Sequence, residues 1–297
     1  MGEKTISELL KGCFIPVDKP RGPPSAQVGQ WVREMVGAKR GGHIGTLDPN
    51  VSGVLLIGIN KAVRLSQYLS RQEKEYVGIM HLHREMDEAR VREVVKRFEG
   101  KISQKPPLRS AVAKRWRERV VSRIDILEMR GRDVLMRVRC EAGTYIRKLM
   151  YDMGKALGCG ANMLELRRTR SGRVGEERIF TLYEVQEAVR RWKESEDERL
   201  RRKILIPPDE IIELERIFVK ESALPSLAYG SPIYRKGLAV NSGEKLPERG
   251  ASVLVYSENG RFCGVAHVED GPEMYAKLHV NWLDTSEFTK KWKSKKE

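Results

Sequence analysis

Cysteine is scarce in this chain and placed badly for metal or disulfide chemistry. Cys13, Cys140, Cys159 and Cys263 are scattered, with no Cys-x-x-Cys pair, which argues against a zinc site and against a disulfide framework. Long apolar runs are missing too. None approaches the roughly 20 residues that cross a bilayer, so no membrane partner is expected. Met1 to Leu10 is short, mixed and charged, unlike a secretory signal, and the cytoplasm is the expected compartment. No Gly-Lys-Ser/Thr follows a glycine-rich loop, which excludes a phosphate loop. Acid is in deficit: 41 Asp+Glu stand against 56 Lys+Arg, a net charge of +15. Such a field favours a polyanionic partner, and nucleic acid is the usual one. Thermophilic proteins are also rich in charge, which would account for the 33% charged content but not for its sign.

What is present is concentrated in Gly41-Gly42-His43-Ile44-Gly45-Thr46-Leu47-Asp48-Pro49. A residue before proline is pushed out of the helical region, so Asp48 is expected on an extended or turn-like loop. For an isolated Asp-Pro a plain surface turn is the ordinary reading. A His, a Thr and three glycines around one carboxylate suit a loop shaped for a ligand instead. Paired carboxylates of the glycosidase kind are missing near Asp48.

The 297 residues suggest about two domains on length. Cys13 to Val17 reads as a short buried strand entering a Pro/Gly loop, Lys19 to Pro24. Ser25 is expected to cap a helix with Val28, Trp31, Val32, Met35 and Val36 on its apolar face, ended by Gly37. After the Asp48 loop come a strand, Val54 to Ile59, and a helix carrying Ala62, Leu65 and Leu69. Tyr76 to His83 reads as a strand with Tyr76, Gly78, Met80 and Leu82 on one face. Asp87 caps a helix with Val91, Val94, Val95 and Phe98 inward, and Gly100 at its end. Residues 104–118 read as a long basic loop with Trp116 inside it, and a hairpin follows, Val120–Met129 and Val134–Cys140. The helix after Gly143 shows Ile146, Leu149, Met150, Met153 and Leu157 on one face, with Arg147 off that stripe. Residues 164–173 read as a short strand and a basic loop. Thr181 and Glu184 form a capping box, and the charged stretch Lys193 to Lys203 reads as a helix end or linker. From Glu215 on, short β-rich runs (Ile217–Val219, Leu238–Val240, Ser252–Tyr256, Phe262–Val268, Tyr275–Val280) alternate with turns, as in a small all-β barrel. The lysine-rich tail, Lys290 to Glu297, is expected to be mobile. The fold class expected is α+β: a mixed β-sheet domain with flanking helices, then a small β-barrel.

One carboxylate with an arginine and tyrosines limits the chemistry. His81-x-His83 lacks the third ligand a metal requires. An enzyme that works on a nucleic-acid base must extract it and often stacks it on an aromatic. Tyr76 suits that task, but a tyrosine at a strand start is more often core; periodicity leaves both open.

Gly42-His43-Ile44-Gly45-Thr46-Leu47-Asp48-Pro49 resembles the signature loop of the TruB-type pseudouridine synthases. The resemblance extends through Asp18-Lys19-Pro20-Arg21-Gly22, Lys74-Glu75-Tyr76, Gly143-Thr144-Tyr145-Ile146-Arg147 and Leu166-Arg167-Arg168-Thr169-Arg170-Ser171-Gly172. These blocks stand in family order over most of residues 13–192. Tyr76 to His83 and Pro106 to Val112 resemble the archaeal and eukaryotic dyskerin branch. Val219-Lys220-Glu221-Ser222-Ala223 and Ala228-Tyr229-Gly230 resemble a PUA domain.

The resemblance implies a catalytic domain over 12–205, a PUA RNA-binding domain over 215–288 and a basic tail over 289–297. It implies isomerisation of uridine to pseudouridine in RNA (rRNA, or tRNA) without cofactor or metal. Asp48 matches the catalytic aspartate, Tyr76 the residue that stacks on the flipped base, and Arg147 the partner of Asp48. Tyr145 and Leu166 match pocket positions, while Lys19, His43, Thr46 and Arg167 would position RNA or the loop. The dyskerin branch further implies a box H/ACA guide RNA and three small H/ACA core proteins as partners. Pro24, Ala26 and Asn162 depart from the family pattern, which commonly has Thr, His and His there. The segment before Cys13 is also short for an archaeal member. A stand-alone, guide-independent tRNA enzyme is the alternative, and an inactive PUA-bearing RNA-binding scaffold is a second; intact Asp48, Tyr76 and Arg147 speak against the scaffold.

Overall fold

Two stretches of the chain bury separate sets of apolar side chains, and each set belongs to its own sheet. The computed structural model describes residues 6–105, 115–195, 202–240, 245–269 and 271–289. One unit reaches to Ile211 and the second begins at Ile212.

In chain order the first unit contains α1 (Ile6–Leu10), β1 (Gly12–Lys19), α2 (Ser25–Met35), β2 (Gly41–Ile44), β3 (Ser52–Asn60), α3 (Ser66–Ser70), β4 (Lys74–Leu82), α4 (Glu88–Lys96), β5 (Gly100–Gln104), β6 (Arg117–Arg130), β7 (Asp133–Cys140), α5 (Ile146–Leu157), β8 (Ala161–Ser171), β9 (Val174–Gly175), α6 (Leu182–Ser195) and α7 (Pro208–Ile211). Its strands form one nine-stranded sheet in the order β1-β3-β8-β4-β7-β6-β5, with β2 beside β3 and β9 beside β8. β3 and β8 pair in parallel, and the other ladders are antiparallel. β3 is apolar along nearly its whole length because both its faces are covered. Burial in β4 alternates strictly from Lys74 to Leu82, as a one-sided strand requires. Val28 and Val32 of α2, Val91, Val94 and Val95 of α4, and Leu149, Met150 and Met153 of α5 close the core.

Two expected caps form as read. The Asp87 carboxylate accepts the Arg90 N–H at 3.0 Å. Thr181 Oγ1 accepts the Glu184 N–H at 3.2 Å while Glu184 accepts the Thr181 N–H at 2.8 Å. Others differ. α2 starts at Ser25 with Pro24 in the capping position and no side-chain cap. The helix expected around Ala62 to Leu69 is a 3-10 turn, Lys61–Leu65, followed by α3. The basic segment after Leu166 is no loop: β8 continues to Ser171, held between β4 and β9. Gln104 and Arg117 belong to paired strands. Residues 106–114 of the expected loop, 196–201 of the charged stretch and the lysine tail lie outside the described residues.

The second unit contains β10 (Glu215–Val219), α8 (Leu224–Ala228), β11 (Ile233–Tyr234), β12 (Ser252–Ser257), β13 (Phe262–Val268) and β14 (Met274–Asn281), in the sheet order β10-β12-β13-β14-β11. Ile217, Val219, Leu224, Val253, Val255, Ala266 and Tyr275 form its core. The expected strand at Leu238 is a single bridge to Val219. Among the described residues, no helix is long and apolar enough to cross a membrane.

Candidate active site

The loop from Gly45 to Val51 joins β2 to β3 and carries Asp48. Its far end is gripped by Lys19, a fully buried side chain. The Lys19 ammonium donates to the carbonyls of Pro20 at 2.8 Å, Pro49 at 3.0 Å and Val51 at 2.8 Å. Burial lowers the pKa of this amine, and the nearby Asp48 charge works the other way. The Gly22 N–H donates to Pro49 O at 2.8 Å, and the Val51 N–H closes a turn onto Asp48 O at 3.0 Å. Lys19 thus positions the loop.

Arg168 fastens the loop from beneath. It is 1% exposed and donates to Val54 O at 2.7 Å and to Gly45 O at 2.8 Å. At Gly53, φ is +101° and an added Cβ would stand 2.2 Å from Arg168 O. Only glycine fits where β3 and β8 approach this closely.

α5 brings in Arg147. Gln104, itself buried, bridges the start of that helix: it accepts the Tyr145 N–H at 3.0 Å and donates to Tyr145 O at 3.2 Å. From the first turn, Arg147 forms an ion pair with Asp48. Both side chains are about half exposed, 53% for Arg147 and 56% for Asp48. The pair therefore faces open solvent.

Behind the pair, β4 and β8 set Tyr76 opposite Arg168 and Gly78 opposite Leu166. A Cβ on Gly78 would stand 2.8 Å from Leu166 Cδ1, so the glycine makes room for that leucine. Tyr76 is 9% exposed, with the Arg168 charge beside it. Burial raises the Tyr76 pKa. The Tyr76 ring belongs to the buried core. His43 Nε2 and Thr46 Oγ1 are 3.0 Å apart. Burial, assisted by the Arg168 charge, lowers the His43 pKa, which keeps the imidazole neutral at pH 7. Arg167, on the other face of β8, is committed to the Asp18 carboxylate at 2.9 and 3.0 Å and pairs also with Glu176.

His81 pairs with Asp133 at 2.5 Å and His83 with Asn162 at 3.1 Å. No group of three or more His, Cys, Asp or Glu that could hold a metal occurs among the described residues. The four cysteines are buried free thiols.

Family models match most of the first unit. The model described as the TruB family pseudouridylate synthase N-terminal domain matches residues 33–90 and 83–146. That described as the tRNA pseudouridylate synthase B C-terminal domain matches 147–213. A relative from Methanopyrus kandleri, named probable tRNA pseudouridine synthase B, is 47% identical over 87% of this chain and 76% of its own length. The chain belongs to the TruB family of pseudouridine synthases. It is therefore an enzyme that isomerises uridine in RNA. A relative of the same name from Archaeoglobus fulgidus is 37% identical over 98% of this TruB-family chain and 92% of its own. Among solved structures, a Cbf5–Nop10–Gar1 complex matches with a TM-score of 0.85 and 38% identity over 95% of this chain and 88% of that one. The structure of an H/ACA RNP bound to a substrate RNA containing 2′-deoxyuridine matches with a TM-score of 0.84 and 35% identity over the same shares.

In this TruB-family enzyme, three residues around the loop were not singled out from the sequence as site residues. Arg168 sat inside a basic block, Gln104 inside an expected loop, and Lys74 at a strand end. Lys74 is buried, donates to the carbonyls of Leu69 at 3.2 Å and Gln72 at 2.5 Å, and burial lowers its pKa to about 7. The alternation that places Tyr76 and Gly78 inward also places Lys74 inward, and that was the available signal.

Proposed function

We propose that this pseudouridine synthase is the catalytic subunit of a box H/ACA ribonucleoprotein and modifies uridines, in rRNA above all, that a guide RNA selects by base pairing. The observation carrying this reading is the likeness along 95% of the chain to Cbf5 from a Cbf5–Nop10–Gar1 complex. Small core proteins are then its companions, and residues 215–288 act as a PUA domain that holds the guide's lower stem and ACA end.

In the chemistry, Asp48 acts at the ribose. The bond from C1′ to N1 breaks, the uracil turns, and C1′ rejoins at C5. N1 gains a proton and C5 loses one, so uridine and product are isomers. Asp48 is half exposed, which leaves the carboxylate open to a nucleotide. Arg147 orients it, as a planar guanidinium suits a carboxylate. Tyr76 and Leu166 form the floor on which the extracted base rests, and base stacking on an aromatic contributes about 1–3 kcal/mol.

A stand-alone tRNA enzyme is the second reading, favoured by the names of the curated relatives. Pseudouridine mapping of rRNA and tRNA incubated with the pure protein separates the two. The guided reading expects site-specific modification only when guide and core proteins are added. Efficient, specific modification of bare tRNA by the pure protein, unchanged by those additions, would overturn it.

A further inference from the structure

Downstream of Asp48 the loop is held by Lys19 and Gly22, as described. Upstream, beyond the Arg168 contact at Gly45, it is held at Leu47 by one hydroxyl. Ser25 Oγ accepts the Leu47 N–H at 2.9 Å and donates to Leu47 O at 2.8 Å. Ser25 is 2% exposed and Leu47 4%, so water does not compete. A hydroxyl has a single proton to donate, and here it goes to Leu47. Ser25, read from sequence as a helix cap, is instead the first helical residue, with Pro24 in the capping position.

The Leu47 carbonyl belongs to the peptide whose nitrogen is that of Asp48. Holding the N–H and the C=O of Leu47 fixes the peptide planes on both sides of its Cα. The second of those planes sets the direction in which the Asp48 side chain leaves the backbone. With the carboxylate half exposed, surrounding packing does not aim it. The backbone and Arg147 do.

We propose that Ser25 is a positioning residue for the reaction: its hydroxyl clamps the Leu47 peptide and so aims the Asp48 carboxylate. The inference rests on Asp48 being the group that acts at the ribose. Ser25 is buried away from the surface an RNA would meet, so its loss acts on the chemical step and leaves RNA affinity alone. Displacement of a reacting group by about 1 Å can cost on the order of 100-fold in rate.

The test is single-turnover pseudouridine formation at saturating enzyme, in the form in which the wild type is active, with Ser25→Ala, Ser25→Thr and Asp48→Asn. RNA affinity by filter binding and the folded fraction at the assay temperature are measured alongside. Ser25→Ala is expected to slow the chemical step by about 10- to 100-fold, with RNA affinity within about twofold of wild type. Ser25→Thr keeps the hydroxyl and recovers most of the rate. A purely structural serine would lower the folded fraction and leave the rate per folded molecule unchanged. That result, or a loss confined to RNA affinity, overturns the proposal. If Ser25→Ala does not fold, Ser25→Cys replaces it, and a wild-type rate there is equally fatal. Turnover by Asp48→Asn would instead overturn the assignment of the carboxylate on which the inference rests.

Discussion

Arg147 meets Asp48 across 99 positions of sequence, in an ion pair that stands open to solvent rather than in a dry pocket. Exposed pairs contribute about 0–1 kcal/mol to stability, so Arg147→Ala should leave the melting temperature nearly unchanged. Its effect belongs to the reaction. Pseudouridine formation should fall by about tenfold or more, equivalent to about 1.4 kcal/mol of barrier. Arg147→Lys should recover little, because an ammonium lacks the planar fork. Wild-type activity in Arg147→Ala would show the pair to be incidental.

The Arg168 guanidinium predicts the opposite balance. Removing it in Arg168→Met strands the carbonyls of Gly45 and Val54 away from water. Hydrogen bonds to a charged group contribute about 1.5–3 kcal/mol each. A loss of about 3 kcal/mol or more is therefore expected in urea unfolding, together with loss of activity. Arg168→Lys can reach one carbonyl at a time and should recover only part. A shift of less than about 1 kcal/mol for Arg168→Met would mean that the two contacts are replaceable by solvent.

Lys74 gives a pH dependence with a definite sign. Burial depresses its folded-state pKa from 10.5 to about 7. The unfolded chain therefore holds more protons than the folded one between about pH 7 and 10. Stability tied to this amine is fully present above the unfolded value and lost as pH falls through about 7. Unfolding free energy should rise with pH across that window, by up to about 1.4 kcal/mol per pH unit. Lys74→Met should remove that part of the slope. Parallel pH profiles for the two proteins from pH 6 to 9 would refute it.

The guided reading makes a prediction about salt. A guide RNA that engages both the catalytic face and residues 215–288 must touch many phosphates. Each neutralised phosphate adds about −0.7 to −0.9 to the slope of log affinity against log salt. Removing the chain after Leu214 should flatten the slope and weaken guide binding. An unchanged slope would remove the second unit from the guide interface.

Local signals in the sequence were strong where neighbours decide. The Thr181–Glu184 box, the Asp87 cap and the inward row Tyr76, Gly78, Met80 and Leu82 need no distant partner, and all formed. Distant partners decided the rest. β8 runs past Arg167 because β4 and β9 pair with it there, overriding a composition that looks like loop. Ser25 became the first helical residue with Pro24 before it, and its hydroxyl bonds Leu47, 22 positions away. The meeting of Asp48 and Arg147 was legible only through family resemblance, since no periodicity links residues so far apart. Burial of a charge, as at Arg168 and Lys74, leaves its only trace in strand parity.

The reach of Arg168 also sets an order of events during synthesis. It lies 123 positions beyond Gly45 and 114 beyond Val54, whereas Ser25 and Lys19 are close to the loop in sequence. A growing chain can therefore close the near clamps early, but the guanidinium arrives only once β8 has been made. Contacts of such long sequence separation are the slow ones in folding. The Asp48 loop thus gains its last fastening only once β8 is in place, and a nascent chain stopped short of β8 carries Asp48 on a loop held by its near clamps alone.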